Sequence, residues 1–274
     1  MAKPRGFMLA GNAKMNPAPI GAIAEVVSKL DSQGKTRGIT FVYAPSGPQV
    51  ALASFLFSTA DSTIKLAAQN IDLIPGKDGF AQLGAYTGGN SAKLLVGNGA
   101  KYILVNHSER FDHFGETPEL GGKKAAEVVK VGATPIVCLG EAKAIREASR
   151  NAGNSVAVFA LLRSEFEKLT ANLETLEVLA YEPKWAIGTG LIPTTQEISD
   201  THAFLRKLAR DKYGDEIADK LMILYGGSMN PKNAAEILAL EDVDGGLMGG
   251  VSLKPAEFEQ VTLTAQKVLF PVKP

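Results

Sequence analysis

Eight short apolar segments recur along the chain, and stretches with helical character separate them. Most are continuous runs of apolar, β-branched or aromatic residues, without strict alternation of apolar and polar positions. Continuous runs of this kind are typical of parallel strands that are buried on both faces of a sheet. The eight predicted strands are 7–10, 39–43, 64–68, 102–105, 135–139, 178–181, 222–225 and 246–248.

Helix-start signals follow several of these strands. Thr117-Pro118-Glu119 and Asn230-Pro231 each place a capping oxygen before a proline, and Thr194 to Glu197 has the spacing of a capping box. The segment 142–173 exceeds one ordinary helix, so we predict a break near Gly153.

The alternation of strands and helices predicts the fold class. Eight strand-helix units in 274 residues, with no seam in composition, favour an α/β (β/α)8 barrel of eight parallel strands over an open sheet. We expect a single domain over residues 1–274.

Composition excludes several classes of protein and compartment. Lys and Arg together number 29, as do Asp and Glu, so a net charge of zero argues against a nucleic-acid partner. Cys138 is the only cysteine, which rules out an intrachain disulfide and a cysteine zinc site. No apolar run reaches the length of a membrane span, and no secretion signal begins the chain. We therefore expect a cytoplasmic protein that does not bind membranes.

In a (β/α)8 barrel the chemistry lies on the loops that follow the strands, so the residues at the strand ends are the candidates. Lys14 follows the first strand, where it could attract an anion, although a solvated surface lysine is the more ordinary interpretation. His107 follows the fourth strand, and its position fits equally a group that polarises a carbonyl and a hydrogen-bonded structural imidazole. The chain has only three histidines, and none of them forms a His-x-His pair. The sequence therefore excludes a metallohydrolase built on such a pair.

Glu182 ends the sixth strand. A carboxylate that closes an apolar run is partly desolvated, which makes it a stronger base towards a carbon acid, whereas the ordinary alternative is a salt-bridged glutamate. The segment 183–194, with prolines and glycines near its two ends, has the composition of a hinged lid, and this favours catalysis.

Paired glycines follow the seventh and eighth strands, at 226–227 and 249–250. Glycine pairs let backbone N–H groups approach an anion closely, and the loops after these two strands often bind phosphate in barrels. Tight structural turns would also explain each pair separately.

Taken in order, five motifs resemble those of the triosephosphate isomerase family. They are Asn-x-Lys at 12–14, His-Ser-Glu-Arg at 107–110, Ala-Tyr-Glu-Pro-x-Trp-Ala-Ile-Gly-Thr-Gly at 180–190, Tyr-Gly-Gly-Ser at 225–228 and Gly-Gly-x-Ser-Leu-Lys at 249–254. The resemblance covers essentially the whole chain.

The resemblance implies interconversion of dihydroxyacetone phosphate and D-glyceraldehyde 3-phosphate through an enediolate, in glycolysis and gluconeogenesis, without a cofactor or metal. It implies that Glu182 is the base, that His107 is the electrophile and that Lys14 supplies a positive charge. Further implied positions are those that hold the substrate or support the site: Asn12, Gly188, Ser228, Gly249, Gly250 and, beside Lys14, Glu109.

Several positions depart from the family pattern. Ala13 stands where Trp is usual, and Asn106 and Phe111 replace the usual Gly and Arg beside the histidine motif. The loop 71–83 is longer than expected, and Gly89 replaces a usual Glu, which bears on the homodimer that the resemblance implies. Two alternatives stay open: an isomerase of another small phosphorylated ketose, and a catalytically silent barrel.

Overall fold

Eight parallel strands close into a barrel in the computed structural model, which describes residues 5–60, 62–77, 79–187 and 191–271. We label them β1 to β8 in chain order: Phe7–Asn12, Ile39–Ala44, Lys65–Ala68, Tyr102–Val105, Thr134–Leu139, Val178–Tyr181, Met222–Tyr225 and Gly245–Met248. Each strand pairs with its neighbours in sequence, and β1 closes the ring by pairing with β8, with Met8 opposite Gly245. The (β/α)8 barrel and all eight predicted strands are confirmed.

Alternate strand residues serve two different cores, which explains why the strands are continuously apolar. Inward-facing side chains, among them Met8, Val42 and Leu224, form a cluster drawn only from strands and fill the barrel. Their neighbours in the strands, such as Leu9 and Phe41, pack under the surrounding helices in a larger cluster. Both faces of each strand are therefore buried.

Helices surround the barrel. In the described residues they are α1 to α11: Ile20–Ser32, Val50–Thr59, Ala92–Gly97, Ser108–Phe114, Pro118–Lys130, Lys143–Asn151, Val156–Leu169, Thr195–Tyr213, Asp215–Lys220, Ala234–Leu238 and Pro255–Leu269. Single 3-10 turns lie at Gly47–Gln49, Lys184–Ala186 and Gly250–Leu253. No helix in this described part of the chain is both long enough and apolar enough to cross a membrane.

Two of the predicted helix starts are confirmed. Thr117 caps α5 through its side chain, and Thr194 forms a complete capping box with Glu197 at the start of α8. The predicted break in 142–173 is also confirmed, because α6 ends at Asn151 and α7 begins at Val156.

The capping oxygen predicted at Asn230 is confirmed, but the helix begins later than the predicted start at Pro231. Helix α10 begins at Ala234, because Asn230 and Asn233 first close a turn with each other. The side chain of Asn230 accepts a hydrogen bond from the backbone N–H of Lys232 at 2.9 Å, and that of Asn233 accepts from the N–H of Asn230 at 2.8 Å. An asparagine that bonds its own backbone two residues on starts a turn as readily as a helix.

The long loop 71–83 folds back onto its own barrel. Pro75–Gly76 pairs antiparallel with Gly79–Phe80 in a minimal hairpin. After the hairpin, Gln82 accepts a hydrogen bond from the N–H of Lys93 at 3.1 Å and donates one to Glu127 at 2.7 Å. The additional residues are thereby anchored on the outside of the barrel.

Candidate active site

A cavity of about 370 Å³ opens at the carboxyl ends of the strands. It is lined from the loops after β1, β4, β6, β7 and β8, where the sequence predicted the chemistry. Seven of the predicted site residues line it together: Asn12, Lys14, His107, Glu182, Ser228, Gly249 and Gly250. Gly188 lies outside the residues that the structure describes.

Glu182 and His107 face each other in this cavity. Glu182 is 1% exposed and follows β6 directly. Its Oε2 accepts a hydrogen bond from the N–H of Ser108 at 2.9 Å, and its Oε1 lies 3.2 Å from Nε2 of His107. The latter contact lacks hydrogen-bonding geometry, so Oε1 has no hydrogen-bond partner in the described part of the chain. One carboxylate oxygen is therefore anchored and the other is available to accept a proton.

The surroundings of His107 fix which of its nitrogens carries the proton. The residue caps α4, and its Nδ1 accepts a hydrogen bond from the backbone N–H of Glu109 at 3.2 Å. A ring nitrogen that accepts carries no proton, so the neutral imidazole is protonated on Nε2. The protonated Nε2 is thus the ring nitrogen that lies 3.2 Å from Oε1 of Glu182, in the same cavity.

Lys14 is held by contacts on both its backbone and its side chain. Its backbone adopts a left-handed conformation, with φ of 52°, and its N–H donates to the side chain of Asn12 at 2.9 Å. Gln69 donates to its carbonyl at 2.9 Å, and Glu109 accepts from its Nζ at 2.5 Å. The ordinary alternative of a freely solvated surface lysine is therefore wrong.

The loops after β1 and β8 approach each other closely at Gly249. A Cβ added there would lie 3.1 Å from Cε of Lys14, which is tighter than an ordinary contact. The chain then enters the turn Gly250–Leu253. On the neighbouring loop, the hydroxyl of Ser228 donates to the carbonyl of Ala186 at 2.6 Å, which ties the loop after β7 to the start of the segment 183–194.

Glu141 anchors that same segment from below. Its Oε1 accepts hydrogen bonds from the indole of Trp185 and the hydroxyl of Tyr181, both at 3.0 Å, and from Nε of Arg146 at 2.8 Å. Glu141 is fully buried, so the guanidinium compensates its charge. Trp185 consequently has a fixed position just after the candidate base. Residues 188–190 of the predicted lid lie outside the described part.

The thiol of Cys138 borders the candidate base. Burial raises the pKa of this thiol well above its usual value, and the neighbouring Glu182 carboxylate raises the pKa further. Cys138 therefore stays neutral at physiological pH and adds no second charge beside Glu182.

A family model described as "Triosephosphate isomerase" matches residues 7–265. The chain belongs to the triosephosphate isomerase family. A triosephosphate isomerase of Chloroherpeton thalassium is 36% identical over 266 residues, covering 96% of this chain and 100% of the relative. One from Streptococcus equi subsp. zooepidemicus is 40% identical over 255 residues, covering 92% and 95%. One from Bacteroides fragilis is 45% identical over 182 residues, covering 65% and 69%.

Two parts of this triosephosphate isomerase family site were not predicted from the sequence. Gln69 follows β3 and holds the carbonyls of Lys14 and Ala44, at 2.9 and 3.1 Å. Its signal in the sequence is a polar residue directly after a strand. The backbone N–H of Ser108, which holds Glu182, carries no side-chain signal, so only the structure reveals it.

Proposed function

We propose that this chain interconverts dihydroxyacetone phosphate and D-glyceraldehyde 3-phosphate by proton transfer through an enediolate. The observation that carries the proposal is the meeting of Glu182 and His107 in one cavity, with Lys14 at its edge. Membership in the triosephosphate isomerase family supports it. The proposed steps use side chains and backbone groups of this chain and no cofactor or metal.

Glu182 acts as the base. Its free Oε1 takes a proton from the carbon of the primary alcohol in dihydroxyacetone phosphate, and the electron pair moves through the new carbon-carbon double bond onto the carbonyl oxygen. The N–H at Nε2 of His107 donates a hydrogen bond to that oxygen and stabilises its charge. After a proton moves between the two oxygens, Glu182 returns its proton to the neighbouring carbon, which yields the aldehyde.

Lys14 supplies a fixed positive charge to the enediolate. Its ammonium is held by Glu109 and its backbone by Asn12, so little reorganisation accompanies the developing charge. Asn12 also helps to hold the substrate oxygens. Glu109 acts on Lys14 and does not itself contact the reacting atoms.

The phosphate binds to backbone N–H groups of Ser228, Gly249 and Gly250, all three of which line the cavity. Gly188, from the family motif, would add a further N–H group. Closure of the segment 183–194 over the bound substrate excludes water and so hinders loss of phosphate from the enediolate.

The chain acts as a cytoplasmic homodimer in glycolysis and gluconeogenesis. Support for an interface comes from large apolar side chains that are exposed near the loop after β3 and at the end of β1: Met15, Leu83 and Tyr86. Apolar surface of this kind is typical of a protein contact where the side chains adjoin. The partner is a second copy of the chain.

The experiment that tests the function combines a coupled assay on glyceraldehyde 3-phosphate with mass determination in solution. We expect turnover of the triose phosphate and the mass of a dimer. Tetrose phosphates assayed in parallel should react far more slowly. Faster turnover of a tetrose phosphate would favour an isomerase of another ketose, and no turnover of either would favour a catalytically silent barrel.

A further inference from the structure

Asn106, directly before His107, has an unusual backbone conformation. Its φ is 61°, in the left-handed region that residues with a Cβ generally disfavour but asparagine adopts more readily than most. Lys14 is the only other non-glycine residue with a positive φ in the described part of the chain. Because surrounding structure must impose such conformations, they tend to occur at functional sites. Lys14 already belongs to the proposed site.

The side chain of Asn106 is buried and bonds the next strand. It is 5% exposed, and its Nδ2 donates to the carbonyl of Cys138 at 3.0 Å. The paired register of β4 and β5 ends one residue earlier, at Val105 and Val137. The amide therefore continues the cross-strand bonding past the point where the β4 backbone leaves the sheet.

The last two carbonyls of β5 accept hydrogen bonds from the two sides of the site, one beside His107 and the other at Glu182. Successive carbonyls along a strand point to opposite neighbours. The carbonyl of Cys138 accepts from Asn106, and the carbonyl of Leu139 accepts from the backbone N–H of Glu182 at 2.7 Å. One peptide unit of β5 thus lies between the residue that precedes His107 and the backbone of Glu182.

Helix α5 leaves space for the asparagine through Gly121. A Cβ at this position would lie 2.9 Å from Cβ of Asn106 and 3.0 Å from its Oδ1, both too close for ordinary packing. The same Cβ would lie 2.7 Å from a terminal methyl of Leu169, which can move more easily. The fit of Asn106 consequently depends on the absence of a side chain at 121.

We propose that Asn106 is a positioning residue, which acts through His107. Its bond to Cys138 sets where the imidazole lies relative to Glu182, and hence how well Nε2 meets the charge on the enediolate. The inference rests on the proposed function. It concerns the chemical step and leaves the phosphate site unaffected.

The test replaces Asn106 by glycine, which accepts a positive φ without strain but lacks the amide. We expect kcat to fall about tenfold with KM within about twofold of wild type, since a misplaced group weakens transition-state contacts more than ground-state binding. Inhibition by inorganic phosphate should stay unchanged. Binding of a two-carbon phosphorylated carboxylate, which mimics the enediolate charge, should weaken by about the same factor as kcat.

Asn98→Gly is the matched control. Asn98 also donates its side-chain amide to a backbone carbonyl, that of Leu94 at 2.8 Å, but it lies on the surface at the end of α3. Its kcat should equal that of wild type. An Asn106→Gly enzyme with wild-type kcat, or one that loses phosphate binding as strongly as turnover, overturns the inference.

Gly121→Ala provides a second variant should Asn106→Gly fail to fold. The added Cβ displaces the asparagine without removing its amide, so we expect kcat to fall about threefold or more, with phosphate inhibition unchanged. Wild-type turnover in Gly121→Ala would contradict the inference. If the wild-type chain itself fails to turn over triose phosphates, the proposed function fails first, and this outcome is distinct from an active wild type with an equally active Asn106→Gly.

Discussion

Oε1 of Glu182 lies 3.2 Å from Nε2 of His107, although the two residues follow strands that are separated in the barrel by β5. The carboxylate is 1% exposed, and its other oxygen is fixed by the N–H of Ser108. A base in this position meets little competing water, and the imidazole N–H adjoins the place where charge would develop on a substrate oxygen. Preorganisation of this kind contributes to catalysis because no reorientation accompanies the reaction.

Shortening the base should slow the reaction steeply. Glu182→Asp draws the carboxylate back by one methylene, and a displacement of about 1 Å can cost about 100-fold in rate, so we expect kcat to fall by about that factor or more. KM should change far less. Steady-state kinetics in both directions of the reaction measure the two constants.

The far-ultraviolet circular dichroism and thermal midpoint of Glu182→Asp show whether its fold is intact. Glu182→Gln is the companion variant, since it keeps the length of the side chain and removes the base. Unchanged turnover in either variant would contradict the proposed mechanism.

The carboxylate of Glu109 should matter through Lys14. It accepts from the ammonium at 2.5 Å and is more exposed than its partner, so Glu109→Gln loosens the lysine without removing its charge. We expect kcat/KM to fall about tenfold in Glu109→Gln and by at least about 100-fold in Lys14→Met, in line with loss of a transition-state charge contact. Equal losses in the two variants would indicate that Glu109 has a direct role in the reaction.

The barrel could be predicted from the sequence because burial of both faces of each strand leaves a visible pattern of continuous apolar runs. Strands buried on both faces must be apolar throughout, as in β5 and β6, and eight such runs leave few other ways to bury them. The start of α10 could not be predicted in the same way. Asn230 satisfies a capping pattern and a turn pattern equally, and the choice depends on Asn233.

Side-chain identity reveals the candidate site only in part. Glu182 and His107 were predicted because their side chains carry the chemistry, whereas the N–H of Ser108 could belong to any residue type. Gln69 lies between these cases, since its polarity at a strand end was visible but its contact with Lys14 depends on the curvature of the barrel.

Tyr86 provides a test of the homodimer. It is 42% exposed in the turn after the long loop, so an aspartate there would place a charge in a desolvated contact if the interface forms at this turn. We expect Tyr86→Asp to be monomeric at concentrations where wild type is a dimer, as measured by sedimentation. Val156→Asp is the control, because Val156 is 69% exposed at the start of α7. A dimer in both variants would place the interface elsewhere.

The capping box at the start of α8 should make stability depend on acid pH. Hydrogen bonds from Arg150 lower the pKa of Glu197 from its ordinary value of 4.5 to about 2, and the N–H of Thr194 contributes to the same shift. A lowered pKa in the folded state stabilises the protein above pH 4.5, and this stabilisation is lost as the pH falls towards 2. Glu197→Gln should therefore cost about 1 kcal/mol of unfolding free energy at neutral pH, because the amide can keep the capping contact with Thr194 but loses the ion pair with Arg150. Urea unfolding at about pH 7 and about pH 3.5 measures the difference in unfolding free energy between wild type and Glu197→Gln, and we expect this difference to be smaller at the acid pH. An equal difference at both pH values would contradict the lowered pKa of Glu197.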